Sequence, residues 1–170
     1  MNPASPRIAV VGGGIAGLAF ALSLHQRGLA CDVYESVPQV RELGVGITLL
    51  PHAMRELDAL GLTSALQAAG IENLESVFFN RFGQFIYREP RGRHAGYPLP
   101  EIGIHRGRLH RILFEAAVER LGADRVHTDH RCSGVTQGEA GAVVHFTDSQ
   151  GQPRADVTAD VVIACDGIHS

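Results

Sequence analysis

A chain of 170 residues that is 45% hydrophobic and 19% charged, with a mean hydropathy of +0.04, has the length and composition of one globular domain and not of a disordered or fibrous protein. Fifteen Lys and Arg against eighteen Asp and Glu give a formal net charge of −3 and a pI near 6.3, which leaves no electrostatic case for nucleic acid or an anionic membrane. The three cysteines, Cys31, Cys132 and Cys165, lack metal-ligand or redox-motif spacing, and no stretch is long and continuous enough to span a membrane, so the expectation is a cytoplasmic protein without a metal.

The first apolar run, Ile8 to Val11, reads as a buried strand that breaks into Gly12-Gly13-Gly14. A helical pattern follows from about Ile15 to Arg27, with Leu18, Leu22 and Leu24 among its apolar positions and Gly28 as its stop. A second strand, Cys31 to Glu35, ends in an acid. Strand, G-x-G-x-x-G turn, helix and acid-terminated strand form a dinucleotide-binding pattern. Gly12 permits the tight turn, Gly14 lets a pyrophosphate reach the backbone, and Gly17 lets the helix pack closely on the sheet. The N–H groups and dipole of the helix start favour phosphate. Glu35 can accept hydrogen bonds from a ribose 2′-OH and would repel a 2′-phosphate, which favours FAD or NAD over NADP. Gly13 occupies the variable position and is expected to tolerate a methyl group.

Gly44 and Gly46 precede a short apolar strand and suggest close backbone approach, to a ligand or to a neighbouring strand. Pro51 opens a helix carrying Leu57 and Leu60 that stops at Gly61. Residues 74–87 read as an aromatic β-hairpin turning at Arg81-Phe82-Gly83-Gln84, available either as sheet core or as one wall of an apolar pocket. Residues 90–100 read as a loop. A strong helix from about Gly107 to Leu121 carries Leu109, Ile112, Leu113, Ala116, Ala117 and Leu121 on one stripe and ends at Gly122. Arg106 stands at its start, where an arginine can hold a phosphate or pair on the surface. Short strands are expected over 125–128, 131–137, 142–147 and 154–157. The last apolar run, Ala159 to Cys165, ends in Asp166-Gly167 and is expected as the centre of a parallel sheet, with Asp166 at its ligand-binding carboxyl edge. A central strand with no returning helix suggests that these residues are the N-terminal part of a longer protein.

These motifs together resemble the flavoprotein aromatic hydroxylases, the family of p-hydroxybenzoate and salicylate hydroxylases. Gly12-x-Gly14-x-x-Gly17 with Glu35 is similar to the family's FAD-ADP fingerprint, Ile104-His105-Arg106-Gly107-x-Leu109 to its helix-start arginine motif, and Asp160 to Ser170 to its Asp-Gly motif. Leu43 to Ala53 and Glu89-Pro90-Arg91-Gly92 look most like the phenazine-carboxylate monooxygenases within it. The resemblance implies an α/β, Rossmann-like FAD-binding fold of the GR2 type with a parallel sheet. It also implies a β-rich insertion, residues 72–102, that belongs to a substrate-binding layer.

The roles implied are these. Gly12, Gly14, Ile15, Ala16 and Gly17 receive the FAD pyrophosphate, and Glu35, with Ser36 beside it, the adenosine ribose. Arg41, the segment at Gly46, and Arg106 hold ribose, pyrophosphate or ribityl oxygens. The backbone at Cys132 meets the adenine, and Asp166 with Gly167 binds FAD and couples the use of NADH or NADPH. In the family the reduced flavin reacts with molecular oxygen to give a flavin hydroperoxide, which hydroxylates a small aromatic substrate. Two departures stand out: Ala164-Cys165 replaces the family's Gly-Ala before Asp-Gly, and His52 stands where relatives carry Asn. No residue here identifies a catalytic acid, base or nucleophile. The resemblance therefore implies the FAD-binding part of a monooxygenase, inactive as these 170 residues alone. The alternatives are a reductase or oxidase of the same fold, or a flavin-binding module without catalysis.

Overall fold

The computed structural model describes residues 5–39, 44–139 and 141–168. In chain order its elements are β1 (Ile8–Val11), α1 (Ile15–Gln26), β2 (Cys31–Tyr34), β3 (Gly46–Leu49), α2 (Pro51–Ala59), α3 (Thr63–Ala69), β4 (Ile71–Glu72), β5 (Glu75–Phe79), β6 (Phe85–Pro90), β7 (Ile102–His105), α4 (Arg106–Leu121), β8 (Val126–His127), β9 (Arg131–Gly138), β10 (Gly141–Thr147), β11 (Val157–Ala159) and β12 (Val161–Ala164). The chain divides into two units: residues 1–41 with 113–170, and residues 42–112, the division falling within α4.

The first unit is built on a parallel sheet of order β12-β1-β2-β8. Residues 8–11 are buried throughout, as a continuous apolar run with partners on both sides requires. α1 buries Gly17, Leu18, Ala21 and Leu22, one stripe at helical spacing. Each leucine of this kind contributes about 1.5–3 kcal/mol by leaving water. A second, antiparallel sheet of order β11-β10-β9 shares a core with the first: Ala9, Val11 and Tyr34 pack with Val144, Phe146 and Ala159. Tyr34 stacks on His127 and on Phe146, each with 4.7 Å between ring centroids. A bulge between His145 and Phe146 places Cys132 opposite Phe146 and leaves Ser133 as the extra residue of β9.

Three expectations are corrected here. The expected strand 159–165 is two strands in different sheets, β11 and β12, parted at Asp160. Asp160 turns the chain because its carboxylate accepts both the main-chain N–H of Arg7 at 2.7 Å and the Arg7 guanidinium at 2.7 Å. β12 is an edge, not the centre, of the parallel sheet among the described residues: it pairs with β1 alone, and Val161 is 42% exposed. The strand expected at 154–157 starts only at Val157; before it Pro153 meets Thr147 in an isolated bridge and the Arg154 N–H donates to the Phe146 carbonyl at 2.9 Å.

In the second unit β7 pairs with β3 on one side and β4 on the other. Met54 and Leu57 of α2, Leu66 of α3 and Ile102 and Ile104 of β7 are buried. The hairpin β5–β6 forms its own two-stranded sheet. Its aromatics are not sheet core: Phe78 stacks on Tyr87 at 5.0 Å and Phe79 meets Phe85 edge-on, yet Phe79, Phe82 and Phe85 are each more than half exposed. The expected loop 90–100 contains a 3-10 turn, Gly92–Ala95, and α3, β4 and β7 are additions to the sequence reading.

Candidate functional site

At the carboxyl ends of β1, β2 and β12 the first unit opens into a cleft of about 610 Å³. The size lies in the range of small-molecule and cofactor sites, and the place is where open α/β sheets bind ligands. Gly12 and Gly14 line its floor, Tyr34, Glu35 and Ser36 one side, Cys165, Asp166 and Gly167 another. Val37, Pro38, His130, Arg131, Cys132 and Ser149 line the end beyond Glu35.

The glycines differ sharply in what surrounds them. Gly12 has φ +103°, and a Cβ there would sit 2.3 Å from the carbonyl oxygen of Cys165. A Cβ on Gly17 would sit 1.9 Å from the carbonyl oxygen of Gly12, so the helix lies as close to the turn as glycine alone allows. A Cβ on Gly14 would meet nothing within 4 Å. No described residue requires glycine at Gly14, which faces open space. Gly14 also caps α1, in extended conformation and without a side-chain cap, and the first turn carries no acidic residue. The N–H groups of that turn therefore keep their capacity for an anion.

Glu35 follows β2, where its N–H donates to the carbonyl of His127 at 2.8 Å. Its Oε2 accepts the N–H of Gly13 at 2.7 Å, and its Oε1 accepts Ser36 Oγ and the N–H of Val37, both at 2.9 Å. The carboxylate is thus oriented before any ligand arrives, with acceptor capacity remaining for hydroxyl donors. This overturns the expectation for Gly13. A Cβ there would lie 2.8 Å from the Glu35 Cβ and 3.0 Å from Oε2, so the position is held to glycine by the side chain of Glu35.

The structure thus brings together in one cleft Gly12, Gly14, Glu35, Ser36, Cys132, Asp166 and Gly167. Ile15, Ala16 and Gly17 form the first turn of α1 behind it and are not among the residues that line it. Arg41 lies outside the described residues. Gly46 and Arg106 belong to the second unit. There Gly46 pairs with His105 in the ladder of β3 and β7, and a Cβ on it would meet nothing. Gly44 is the constrained glycine of that pair: it has φ +131°, and a Cβ would lie 2.8 Å from Nε of Arg106. His105 Nε2 meets the Gly44 carbonyl at 3.0 Å, and the Arg106 N–H donates to the Val45 carbonyl at 3.0 Å. The second unit also holds a cavity of about 630 Å³ lined in part by His52, Arg55, Arg91, Tyr97 and the buried Glu101.

Sequence reasoning missed Gly13, His130, Arg131, Ser149 and Cys165 as lining or shaping residues. The pairing of β2 with β8, continued by the bonds of Glu35 to His127 and of His130 to Glu35, brings 130–132 to the cleft, and Asp129 brings Ser149; no periodicity encodes either. Two of the thiols are quiet: burial pushes Cys31 up to about 11, and burial with the neighbouring Asp166 raises Cys165. Burial, then Asp32, pushes the Tyr34 phenol up to about 12, so Tyr34 is neutral at any working pH.

The cleft fits the ADP part of a dinucleotide. It offers open backbone at Gly14, an uncapped helix start for a pyrophosphate, a fixed carboxylate for ribose hydroxyls, and a further compartment for a base. Comparison with known proteins agrees. Residues 6–170 match the sequence profile of a family described as FAD binding domain. The phenazine 1,6-dicarboxylic acid hydroxylase of Lysobacter antibioticus is 40% identical over 165 residues, covering 96% of this chain and 40% of that protein. The 3-amino-4-hydroxybenzoate 2-monooxygenase of Streptomyces cremeus is 39% identical over 168 residues, with 96% and 40% covered. The crystal structure of a Klebsiella pneumoniae HpxO variant complexed with FAD superposes with a TM-score of 0.77 at 25% identity, covering 97% of this chain and 40% of that one. The chain thus spans about 40% of the length of the curated relatives it matches. A GxGxxG turn placed beside Glu35 and Asp166, carried on this α/β sheet and matched along residues 6–170, makes the chain a member of the FAD binding domain family of the flavoprotein aromatic hydroxylases.

Proposed function

We propose that this chain is the FAD-binding part of a monooxygenase that uses NADH or NADPH and molecular oxygen to hydroxylate a small aromatic substrate. The observation that carries the reading is the meeting of Gly14, Glu35 and Asp166 in one cleft at the sheet's carboxyl edge. In this reading the Gly14 backbone and the first turn of α1, Ile15 to Gly17, receive the pyrophosphate. Glu35, oriented by Gly13 and Ser36, accepts the ribose hydroxyls, and the backbone at Cys132 meets the adenine. Asp166 and Gly167 stand at the flavin side. Arg41, Gly46 and Arg106 serve the rest of the cofactor. Residues 72–102 belong to the substrate-binding layer, and the exposed aromatics of β5–β6 support that assignment. Once bound and reduced, the cofactor supplies the activation of oxygen; the chain's own residues bind it, orient it and keep water from it.

Relatives named as hydroxylases and monooxygenases of aromatic acids support the substrate class. Among the described residues no helix is long and apolar enough to cross a membrane. Together with three thiols that are not paired to one another, this supports a cytoplasmic site of action. Since the chain spans 40% of the relatives' length, the reading gives residues 1–170 alone no hydroxylation. The test incubates a longer protein that carries these residues with the remainder of a relative's length, beside residues 1–170 alone as the inactive control, with FAD, NADH or NADPH, and a panel of phenazine carboxylates and hydroxybenzoates. Substrate-dependent oxygen consumption with a hydroxylated product is the expected result. NAD(P)H oxidation yielding only peroxide with every aromatic would refute hydroxylation.

A further inference from the structure

The end of the cleft beyond Glu35 is assembled from three separate stretches of chain, and one residue ties them, by its main-chain N–H and its carboxylate. Asp129, between β8 and β9, has φ +59°, a left-handed conformation that, apart from glycine, Asn and Asp adopt most readily. Its N–H donates to the Val37 carbonyl at 3.1 Å. Its Oδ1 accepts the N–H of Ser149 at 2.8 Å, and its Oδ2 pairs with the guanidinium of Arg154. The next residue, His130, donates its N–H to the Glu35 carbonyl at 2.8 Å. The turn that Asp129 grips is itself a closed unit, because Asp148 Oδ1 accepts the N–H groups of Gln150 and Gln152 at 2.9 and 2.8 Å. The hydrogen bonds from Ser149, and then Arg154, hold the Asp129 carboxyl below its ordinary range, so it is charged at neutral pH.

Asp129 does not line the cleft, but each stretch it ties does: Val37 and Pro38 after β2, His130 and Cys132 before and in β9, Ser149 in the turn after β10. With a pyrophosphate at α1 and the ribose at Glu35, the base attached to that ribose falls among these residues. We infer that Asp129 is a positioning residue for base recognition, holding the walls that follow β2, precede β9 and follow β10 at the spacing that receives an adenine. This rests on the reading of the cleft as a dinucleotide site.

The test uses Asp129→Gly, which keeps the positive φ while removing the carboxylate, and Arg154→Ala, which leaves the Ser149 bond but removes the guanidinium partner of the same carboxylate from a residue outside the cleft. Dissociation constants are measured for FAD directly, and for ADP and UDP by displacement. Asp129→Gly is expected to weaken FAD and ADP by about tenfold and UDP far less, narrowing the preference for the adenine base; Arg154→Ala shifts it in the same direction by a smaller factor. Equal losses for ADP and UDP, or unchanged constants in both variants, would overturn the inference while leaving the site intact. A parent protein that binds neither FAD nor ADP would instead sink the dinucleotide reading, and this inference with it.

Discussion

Gly13→Ala is the substitution in which motif and structure disagree most. The motif leaves the position open; the structure places its Cβ 2.8 Å from the Glu35 Cβ, 3.3 Å from Cγ and 3.0 Å from Oε2. A carbon–carbon contact of 2.8 Å is about 1 Å inside ordinary van der Waals separation. The nearest atom is a Cβ, anchored to the backbone of β2's end, so the side chain cannot swing clear by rotating its tip. Moving it away stretches the 2.7 Å hydrogen bond from the Gly13 N–H to Oε2, a bond to a charged acceptor. Such bonds are worth about 1.5–3 kcal/mol, and Glu35 is only half-buried, so a loss of about 1–2 kcal/mol in FAD affinity is expected, near tenfold. The assay is quenching of flavin fluorescence on titration into apoprotein, run as a double-mutant cycle. The partner substitution is Glu35→Gly, since Glu35→Ala would retain the clashing Cβ. If Gly13 acts through Glu35, Gly13→Ala costs nothing further once Glu35 is glycine, giving a coupling of about 1 kcal/mol. Additive losses, or a Gly13→Ala variant that binds FAD like the parent, would refute the reasoning.

Gly14→Ala behaves in the opposite way: its Cβ meets no protein atom, so the apoprotein should melt like the parent, while the thermal shift given by added FAD disappears. Glu35→Ala should weaken FAD by about 1–3 kcal/mol in the same titration and lessen the discrimination against 2′-phosphorylated nucleotides. The Asp160 carboxyl is held down to about 2 by its hydrogen bonds from Arg7. A depressed carboxyl contributes stability that is complete above its ordinary value near ~3.9 and lost as the pH falls through about 2. The parent's advantage over Asp160→Asn in urea should therefore be constant from pH 7 to about 5 and shrink across that lower window. Alkylation of native apoprotein at pH 8 should spare Cys31, whose buried thiol titrates at about 11, with mass spectrometry of the labelled peptides as the readout.

The strand–turn–helix–strand unit was legible because its signals are local: an all-apolar run, three glycines, a helical stripe and an acid at the strand end. Glu35 and Gly14 followed from chemistry that any phosphate and ribose impose. The far end of the cleft was not legible, since Val37, His130 and Ser149 meet only through sheet register and through Asp129. The edge position of β12 and the break at Asp160 likewise depend on pairing with distant residues, Ile8 and Arg7. Gly13 was misjudged because a motif records what the ligand needs, whereas this glycine answers to a neighbouring side chain. The aromatics of β5–β6 read by composition as sheet core or as a pocket wall; the core reading fails because a two-stranded sheet has one layer and nothing among the described residues of its unit buries them.

The central claim is that the cleft of the first unit holds the ADP half of FAD. A crystal structure of the protein soaked or purified with FAD tests it most directly. The account predicts the pyrophosphate against the backbone of Gly14, both ribose hydroxyls within hydrogen-bond distance of the Glu35 carboxylate, and the adenine between Val37 and Cys132. FAD seated elsewhere, or Glu35 turned away from the ribose with its bond to Gly13 broken, would contradict it.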